Sequence, residues 1–205
     1  MRIWLIRSIA GAAVVATLEL AHAPAMAQVR QGSRHITMGW SAFQAGQAVP
    51  FIARDAGIFD RHQLRVDLIY IGSGTLTVQA LAGRDLHMAQ VGSSGVVNGA
   101  LQGLDLVMVA SATRSSPFFL MVDPRISSPA QLKGKRIGIT RFGSSTDFLA
   151  RAALRRWGIS PEEVTILQFG GIPEILAALK VGAVQAGAMG PPLHTQARKA
   201  GFTQL

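Results

Sequence analysis

The 205-residue sequence contains no cysteine. This excludes disulfides, thiolate metal sites, a cysteine nucleophile and a lipid anchor on cysteine. Aromatic residues are only 6% of the chain, with one tyrosine, and no basic stretch is interleaved with them. A nucleic-acid partner is therefore not expected. Past the N-terminal leader no apolar run is long enough to cross a bilayer. Nucleotide and nucleophile motifs are missing too. Gly72-Ser73-Gly74-Thr75-Leu76-Thr77 has Thr where a dinucleotide fingerprint needs a third Gly or Ala. Gly134-Lys135 lacks the upstream glycine of a phosphate loop, and no G-x-S-x-G elbow surrounds Ser93 or Ser94. After the leader His35, His62, His87 and His194 stand apart, so neither a metal nor another cofactor is expected. A Ser-His-Asp triad is assembled in space, and sequence alone leaves one open.

What is present begins with a secretory leader. Arg2 and Arg7 supply its charged start, Ile9 to Leu18 its apolar run, and Ala25-Met26-Ala27 an A-x-A cleavage site. Residues 1–27 should be removed, leaving Gln28 at the start of a soluble periplasmic protein; an uncleaved membrane anchor is the other reading. Losing Arg2, Arg7 and Glu19 takes the balance from 20 basic and 11 acidic residues to 18 and 10, or +8. Lys133-Gly134-Lys135-Arg136 and Arg151 with Arg155 and Arg156 are the basic clusters; both read as solvated faces.

The rest of the chain is ordered by the stretch Val66 to Gly103. It reads as strand (Val66 to Ile71), Gly72-Ser73-Gly74, helix (Thr75 to Ala82), Gly83, strand (Leu86 to Val91), Gly92-Ser93-Ser94-Gly95, helix (Val96 to Gln102). The near-continuous apolar strands suit a parallel sheet covered on both faces. Gly83 is placed at the left-handed position that ends a helix. The arrangement returns as strand Val164 to Phe169, Gly170-Gly171, helix Pro173 to Val181, Gly182, strand Ala183 to Met189 and the turn Gly190-Pro191-Pro192. Two similar βα lobes are expected. Lobe one is 36–113, after a lead-in at 28–35; a connection at 114–117 leads to lobe two, 118–205.

Further elements fill this frame. Ile36 to Trp40 and Asp105 to Ala110 read as strands of lobe one, and Pro50 opens a helix to about Asp55 that Gly57 ends. Ile58 and Phe59 should pack under the following turn. In lobe two Phe118 to Val122 is apolar, Pro129 to Leu132 is a helical turn and Arg136 to Thr140 a strand. Ser144 and Asp147 have capping spacing before a helix whose apolar stripe is Leu149, Ala153 and Trp157, with Arg151 and Arg155 turned away. Ser160-Pro161-Glu162-Glu163 starts a capped turn.

In open α/β sheets a ligand sits beyond the carboxyl ends of the strands, where these Gly/Ser turns fall. Backbone N–H groups at helix starts carry partial positive charge, and hydroxyls add donors. That is chemistry for holding a small anion without a catalytic group.

Three stretches carry a family resemblance. Pro50-Phe51-Ile52-Ala53-Arg54-Asp55-Ala56-Gly57-Ile58-Phe59 is similar to an opening helix with its Gly-x-Phe end. Ala80-Leu81-Ala82-Gly83-Arg84-Asp85-Leu86 is similar to a step into a strand, and Ser128-Pro129-Ala130-Gln131-Leu132-Lys133-Gly134-Lys135-Arg136-Ile137-Gly138 to the start of a second lobe. Together they resemble, over residues 36–205, a type II periplasmic substrate-binding protein of an ABC importer, of the nitrate/sulfonate/taurine class. Gln131 and Gln185 stand where that family often has Asp.

The resemblance implies an α/β, two-lobed type II binding fold that captures a small anionic ligand (sulfonate, nitrate, carboxylate or pyrimidine-like) for a membrane permease and ATPase. It places ligand contacts at Ser41, Phe43 and Gln44, at Ser73 and Gly74, at Ser93 and Ser94, at Ser144, Ser145 and Thr146, and at Gly171 and Met189. Phe43 would meet an apolar part of the ligand. Family members that are enzymes depend on cysteine, so no enzyme activity is expected; an enzyme of another kind on this fold and a ligand-sensing module for a receptor are the alternatives. The family chain is longer and returns to complete lobe one. Lobe one is therefore expected to be incomplete at its C-terminal end and to expose apolar surface, with lobe two the better packed.

Overall fold

The computed structural model describes residues 32–115 and 118–205. The expected leader, residues 28–31 of the lead-in, and Ser116 and Pro117 of the connection lie outside the described residues. Strands β1 (Arg34–Trp40), β2 (Leu64–Tyr70) and β3 (Met88–Gln90) form a parallel sheet in the order β2-β1-β3. Strands β4 (Phe119–Val122), β5 (Arg136–Ile139), β6 (Thr165–Gln168), β7 (Ala186–Met189) and β8 (Thr203–Gln204) form a second sheet, β6-β5-β7-β4-β8. Here β5, β6 and β7 are parallel, and β4 is antiparallel to β7 and β8. The helices are α1 (Val49–Asp55), α2 (Ile58–Arg61), α3 (Gly74–Ala82), α4 (Ser93–Leu101), α5 (Ser145–Arg156), α6 (Ile172–Lys180) and α7 (Leu193–Lys199). Lobe one denotes β1–β3 with α1–α4, and lobe two the remaining elements.

The repeat in the glycine turns is also a repeat in topology. β1 lies between β2 and β3 as β5 lies between β6 and β7, and α3 follows β2 as α6 follows β6. Parallel neighbours require such crossover helices. Both sheets therefore end their parallel strands on Gly/Ser/Thr turns that open helices.

The second sheet is buried on both faces at its central strands β5, β7 and β4. Met121 and Met189 pack with Ile175, Leu176 and Leu179 of α6. Leu120, Val122, Ala186 and Ala188 pack with Ile137, Ile139 and Leu154 on the other face. Residues alternate between faces because the strand period is two. Of both buried clusters, every member but Ala42 belongs to lobe two.

Several expectations are corrected. Asp105–Ala110 is not a strand. β3 pairs only with β1 among the described residues, and no strand lies beside the segment. Apolar residues make a strand only where a ladder partner takes up their N–H and C=O groups. Leu104 and Leu106 instead lean on α4, close to Gly99. Gly83 has φ −74° and the left-handed residue is Arg84, φ 64°: α3 ends at Ala82 as expected, but its left-handed turn falls one residue after the glycine. In lobe two Gly182, φ 71°, does occupy that position. Ile58 is exposed and opens α2 after the left-handed Gly57, φ 65°, rather than packing beneath a loop. The buried stripe of α5 is Thr146, Asp147, Ala150 and Leu154, with Leu149 and Trp157 at its margins. Arg151 is not turned away: its Nε donates to Asp147 Oδ1 at 2.7 Å and its guanidinium lies over the Phe142 ring.

Candidate functional site

A cavity of about 20 Å³ lies where the two lobes meet, room for about one water molecule. Lobe one lines it with Ser41, Ala42, Gln44, Gln47, Gly74 and Gly92; Phe118, Thr140, Ser144, Ser145, Thr146 and Ile172 line the other side. The positions follow from the repeat. Ser41 and Thr140 directly follow the central strands β1 and β5; Gly74 and Ile172 are the first residues of α3 and α6. Gly92 is the N-cap of α4 and Ser144 that of α5. The starts of four helices thus converge on one space. First-turn N–H groups have no acceptor within their own helix, so each start presents donors and the positive end of a dipole. Among the described residues no charged side chain lines the cavity.

The hydroxyls differ in what they offer. Thr140, Ser144 and Thr146 form a buried triangle. Thr140 Oγ1 donates to Ser144 Oγ at 2.9 Å, and Thr146 Oγ1 lies 2.8 Å from Ser144 Oγ and 3.0 Å from Thr140 Oγ1. Each hydroxyl has one proton, so a closed triangle consumes all three. Thr146 Oγ1 also accepts from Thr140 N, and Ser144 Oγ from Asp147 N. These groups brace the start of α5. Ser41 Oγ accepts from Gln47 Nε2 at 3.0 Å, which leaves its own proton free. Gln47 Oε1 accepts from the N–H groups of Ser41 and Ala42 at 2.7 and 3.0 Å, holding the turn after β1. The buried Gln44 Oε1 has no hydrogen-bond partner among the described residues.

Asp147, near the cavity, is committed elsewhere: Oδ2 accepts from Gly143 N and Oδ1 from Arg151. At the lobe boundary burial, and then the charge of Glu174, pushes the Tyr70 phenol up from 10.0. Among the described residues no cluster of three or more His, Asp or Glu could hold a metal ion.

Of the positions expected to touch ligand, the structure brings Ser41, Gln44, Gly74, Ser144, Ser145 and Thr146 to the cavity. The other six lie elsewhere. Phe43 packs against Trp40 and Tyr70, ring centroids 4.8 and 4.7 Å away, and is part-exposed. Ser73 is the buried N-cap of α3, and its Oγ has no hydrogen-bond partner among the described residues. Ser93 is exposed on α4. Ser94 Oγ bonds Ser145 Oγ across the lobes at 2.8 Å. Gly171 faces Gly72 and Tyr70 at the lobe seam. Met189 is fully buried in the α6 core, because β7 alternates its side chains between two covered faces. Sequence reasoning missed Gln47 and Thr140. Thr140 reads as the last residue of an apolar strand, although it matches Ser41 in the repeat; nothing local marks Gln47, whose role is to hold a turn six residues back.

Residues 45–198 match the family model described as NMT1/THI5 like. The chain belongs to the NMT1/THI5-like family. A similar protein is the taurine-binding periplasmic protein of Escherichia coli (strain K12), 34% identical over 138 residues, which cover 66% of this chain and 42% of the relative. A putative binding protein of Brucella abortus (strain 2308) is 28% identical over 133 residues, 65% of this chain and 41% of the relative. The chain spans less than half the length of these curated relatives. Among solved structures, the alkanesulfonate-binding protein SsuA from Xanthomonas axonopodis pv. citri superposes with a TM-score of 0.70 at 20% identity, covering 83% of this chain and 60% of that one. The periplasmic nitrate-binding protein NrtA from Synechocystis PCC 6803 gives 0.68 at 16% identity, covering 83% and 50%. The fold of this NMT1/THI5-like chain is that of periplasmic binding proteins.

Proposed function

We propose that this NMT1/THI5-like chain is the solute-binding component of an ABC importer. It is exported with cleavage after Ala27 and carries a small anion, of the sulfonate, nitrate, carboxylate or pyrimidine-like kind, to a membrane permease and its ATPase. The observation that carries this reading is the convergence of four helix starts on one uncharged cavity between two lobes. Backbone N–H groups favour an anion there without a counter-charge that would make release costly. The relatives named as taurine-, alkanesulfonate- and nitrate-binding proteins support the same class. Binding rather than catalysis is favoured because, among the described residues, no His, Asp, Glu or Lys lines the cavity to serve as a general base.

Calorimetry with taurine, ethanesulfonate and nitrate, against neutral and cationic analogues of similar size, tests this. At least one anion should bind, and Ser145→Ala should weaken it about tenfold or more, as expected for a hydrogen bond to a charged group. Equal binding of the neutral analogues would overturn the anion assignment. Mass spectrometry of periplasmic protein should find Gln28 at the N-terminus; an intact Met1 would overturn the export reading.

A further inference from the structure

The two lobes meet at the loop after β1, where Gln44 pairs with Pro192 and Ala45 N donates to Pro191 O at 3.2 Å, and again at the start of α5. Thr75 Oγ1 of α3 donates to Phe142 O, and Asn98 Nδ2 of α4 to Gly143 O, both at 3.0 Å. Ser94 and Ser145 join their hydroxyls at 2.8 Å. All three bonds tie lobe one to the turn that opens α5. In their midst sits Gly92. A Cβ built on it would overlap Ser145 Oγ and lie 3.1 Å from Ser145 Cβ. Gly92 has φ −65° and ψ 138°, a conformation open to any residue, so its own backbone does not call for glycine. What calls for glycine is the other lobe. Gly72 repeats the pattern further along the seam: its Cβ would stand 3.0 Å from Gly170 O and 3.4 Å from Gly171 Cα.

We propose that Gly92 is a closure-determining position. The missing side chain at Gly92 lets the start of α5 seat against α4, and this contact brings together the helix starts contributed by each lobe. Gly92 acts on the ligand through position: it sets how far the lobes close. The consequence for ligand rests on reading the cavity as an anion site; the closure itself does not. A methyl group at this point is a wedge in the seam: the Ser145 hydroxyl must turn off its bond to Ser94, and the close Ser145 Cβ must move back, so the lobes part at this contact.

The cysteine-free chain makes the measurement direct. Gln102→Cys on lobe one and Lys180→Cys on lobe two, both exposed, take spin labels, and electron–electron distance distributions are recorded on the full chain without ligand and with taurine or nitrate. The parent should give one short-distance population, and Gly92→Ala a longer one that ligand does not restore. Adding Ser145→Ala to Gly92→Ala removes the overlapping hydroxyl and should return the distribution toward the parent, an outcome a general folding defect would not give. Asn98→Ala with Thr75→Val, which removes two of the cross-lobe bonds, should lengthen the distance as well. An unchanged distribution in Gly92→Ala overturns the proposal. So does a Gly92→Ala chain that fails to fold while the Asn98→Ala, Thr75→Val chain keeps the parental distance. Anions that bind no variant, with the distance shifts intact, would count against the anion site alone.

Discussion

The two lobes share a strand order and differ in what covers it. In lobe two α5 lies over one face of the sheet and α6 with α7 over the other, and Met121, Val122, Ile137, Ile139, Leu154 and Ile175 are fully buried. In lobe one Val78 and Leu86 are buried, while Val97, Leu101, Val107, Met108 and Val109 are exposed, Leu101 at 81% and Val109 at 83%. These exposed residues follow one another along α4 and the irregular segment after it. The same topology is thus a packed unit on one side and a half-covered sheet on the other. Burial, more than pattern, separates them: apolar area removed from water stabilises by about 25 cal/mol per Å², and lobe one withholds much of its share.

The largest effect should come from lobe two's core. Leu154→Ala empties a fully buried site between α5 and the sheet and should cost about 2–5 kcal/mol, read from denaturant melts. Val109→Ala, at an exposed site, should change stability by less than about 0.5 kcal/mol. Hydrogen exchange sharpens the contrast. Amides of β1–β3 should open below the global unfolding free energy and those of β5 and β7 only at it. Equal protection in both sheets would erase the distinction between the lobes.

How far this asymmetry is legible in sequence depends on the interaction. The glycine turns at Gly72, Gly92, Gly171 and Gly182 are local, so the two βα units and the helix starts at the cavity can be read directly. Asp105–Ala110 could not be read correctly, because its composition is that of a strand and only a neighbour decides whether it becomes one. Met189 is the opposite case: its turn is local, but its side chain obeys the alternation of β7 and enters the core. Gln47 is silent in sequence since its partners, Ser41 and Ala42, are reached only when the loop folds back.

A smaller effect concerns the polar brace of lobe two. Thr140→Val removes one member of the hydroxyl triangle and leaves Ser144 Oγ and Thr146 Oγ1 with a missing partner. The loss should be about 1–3 kcal/mol, with weaker anion binding, since the start of α5 loses its anchor. Ser111→Ala, whose hydroxyl bonds Thr113 O at an exposed position of lobe one, should lose less than about 0.5 kcal/mol. Similar losses in the two variants would break the comparison.

Charging the exposed face of lobe one should alter association while leaving stability nearly unchanged. Val107→Lys with Val109→Glu places charges on an apolar stretch of the kind that draws molecules together. Light scattering should show less self-association than in the parent, with a melting midpoint moved by no more than a few degrees. A cooperative loss of structure would mean that these side chains are packed and that lobe one is not a half-covered sheet.

The smallest expected effect is a titration in lobe two. Asp123 closes β4, and its carboxylate accepts from Arg125 Nε and N at 2.9 Å and from Arg125 Nη2 at 2.7 Å. The Arg125 side chain, then the Arg125 backbone N–H, hold the Asp123 carboxyl down from 3.8 to about 2. A depressed carboxyl stabilises the folded chain above its ordinary value, and that contribution is lost as pH falls from near 4 through 2. The Arg125 side chain is 85% exposed, so solvent and salt screen the pair and the effect is small. Asp123→Asn should therefore leave stability at pH 2 almost unchanged, lower it slightly at pH 7, and flatten the acid limb between them, less so in high salt. If the parent and Asp123→Asn curves run parallel from pH 7 to pH 2, the turn after β4 is held by its backbone bonds alone, Asp123 N to Gln185 O and Ile126 N to Asp123 O.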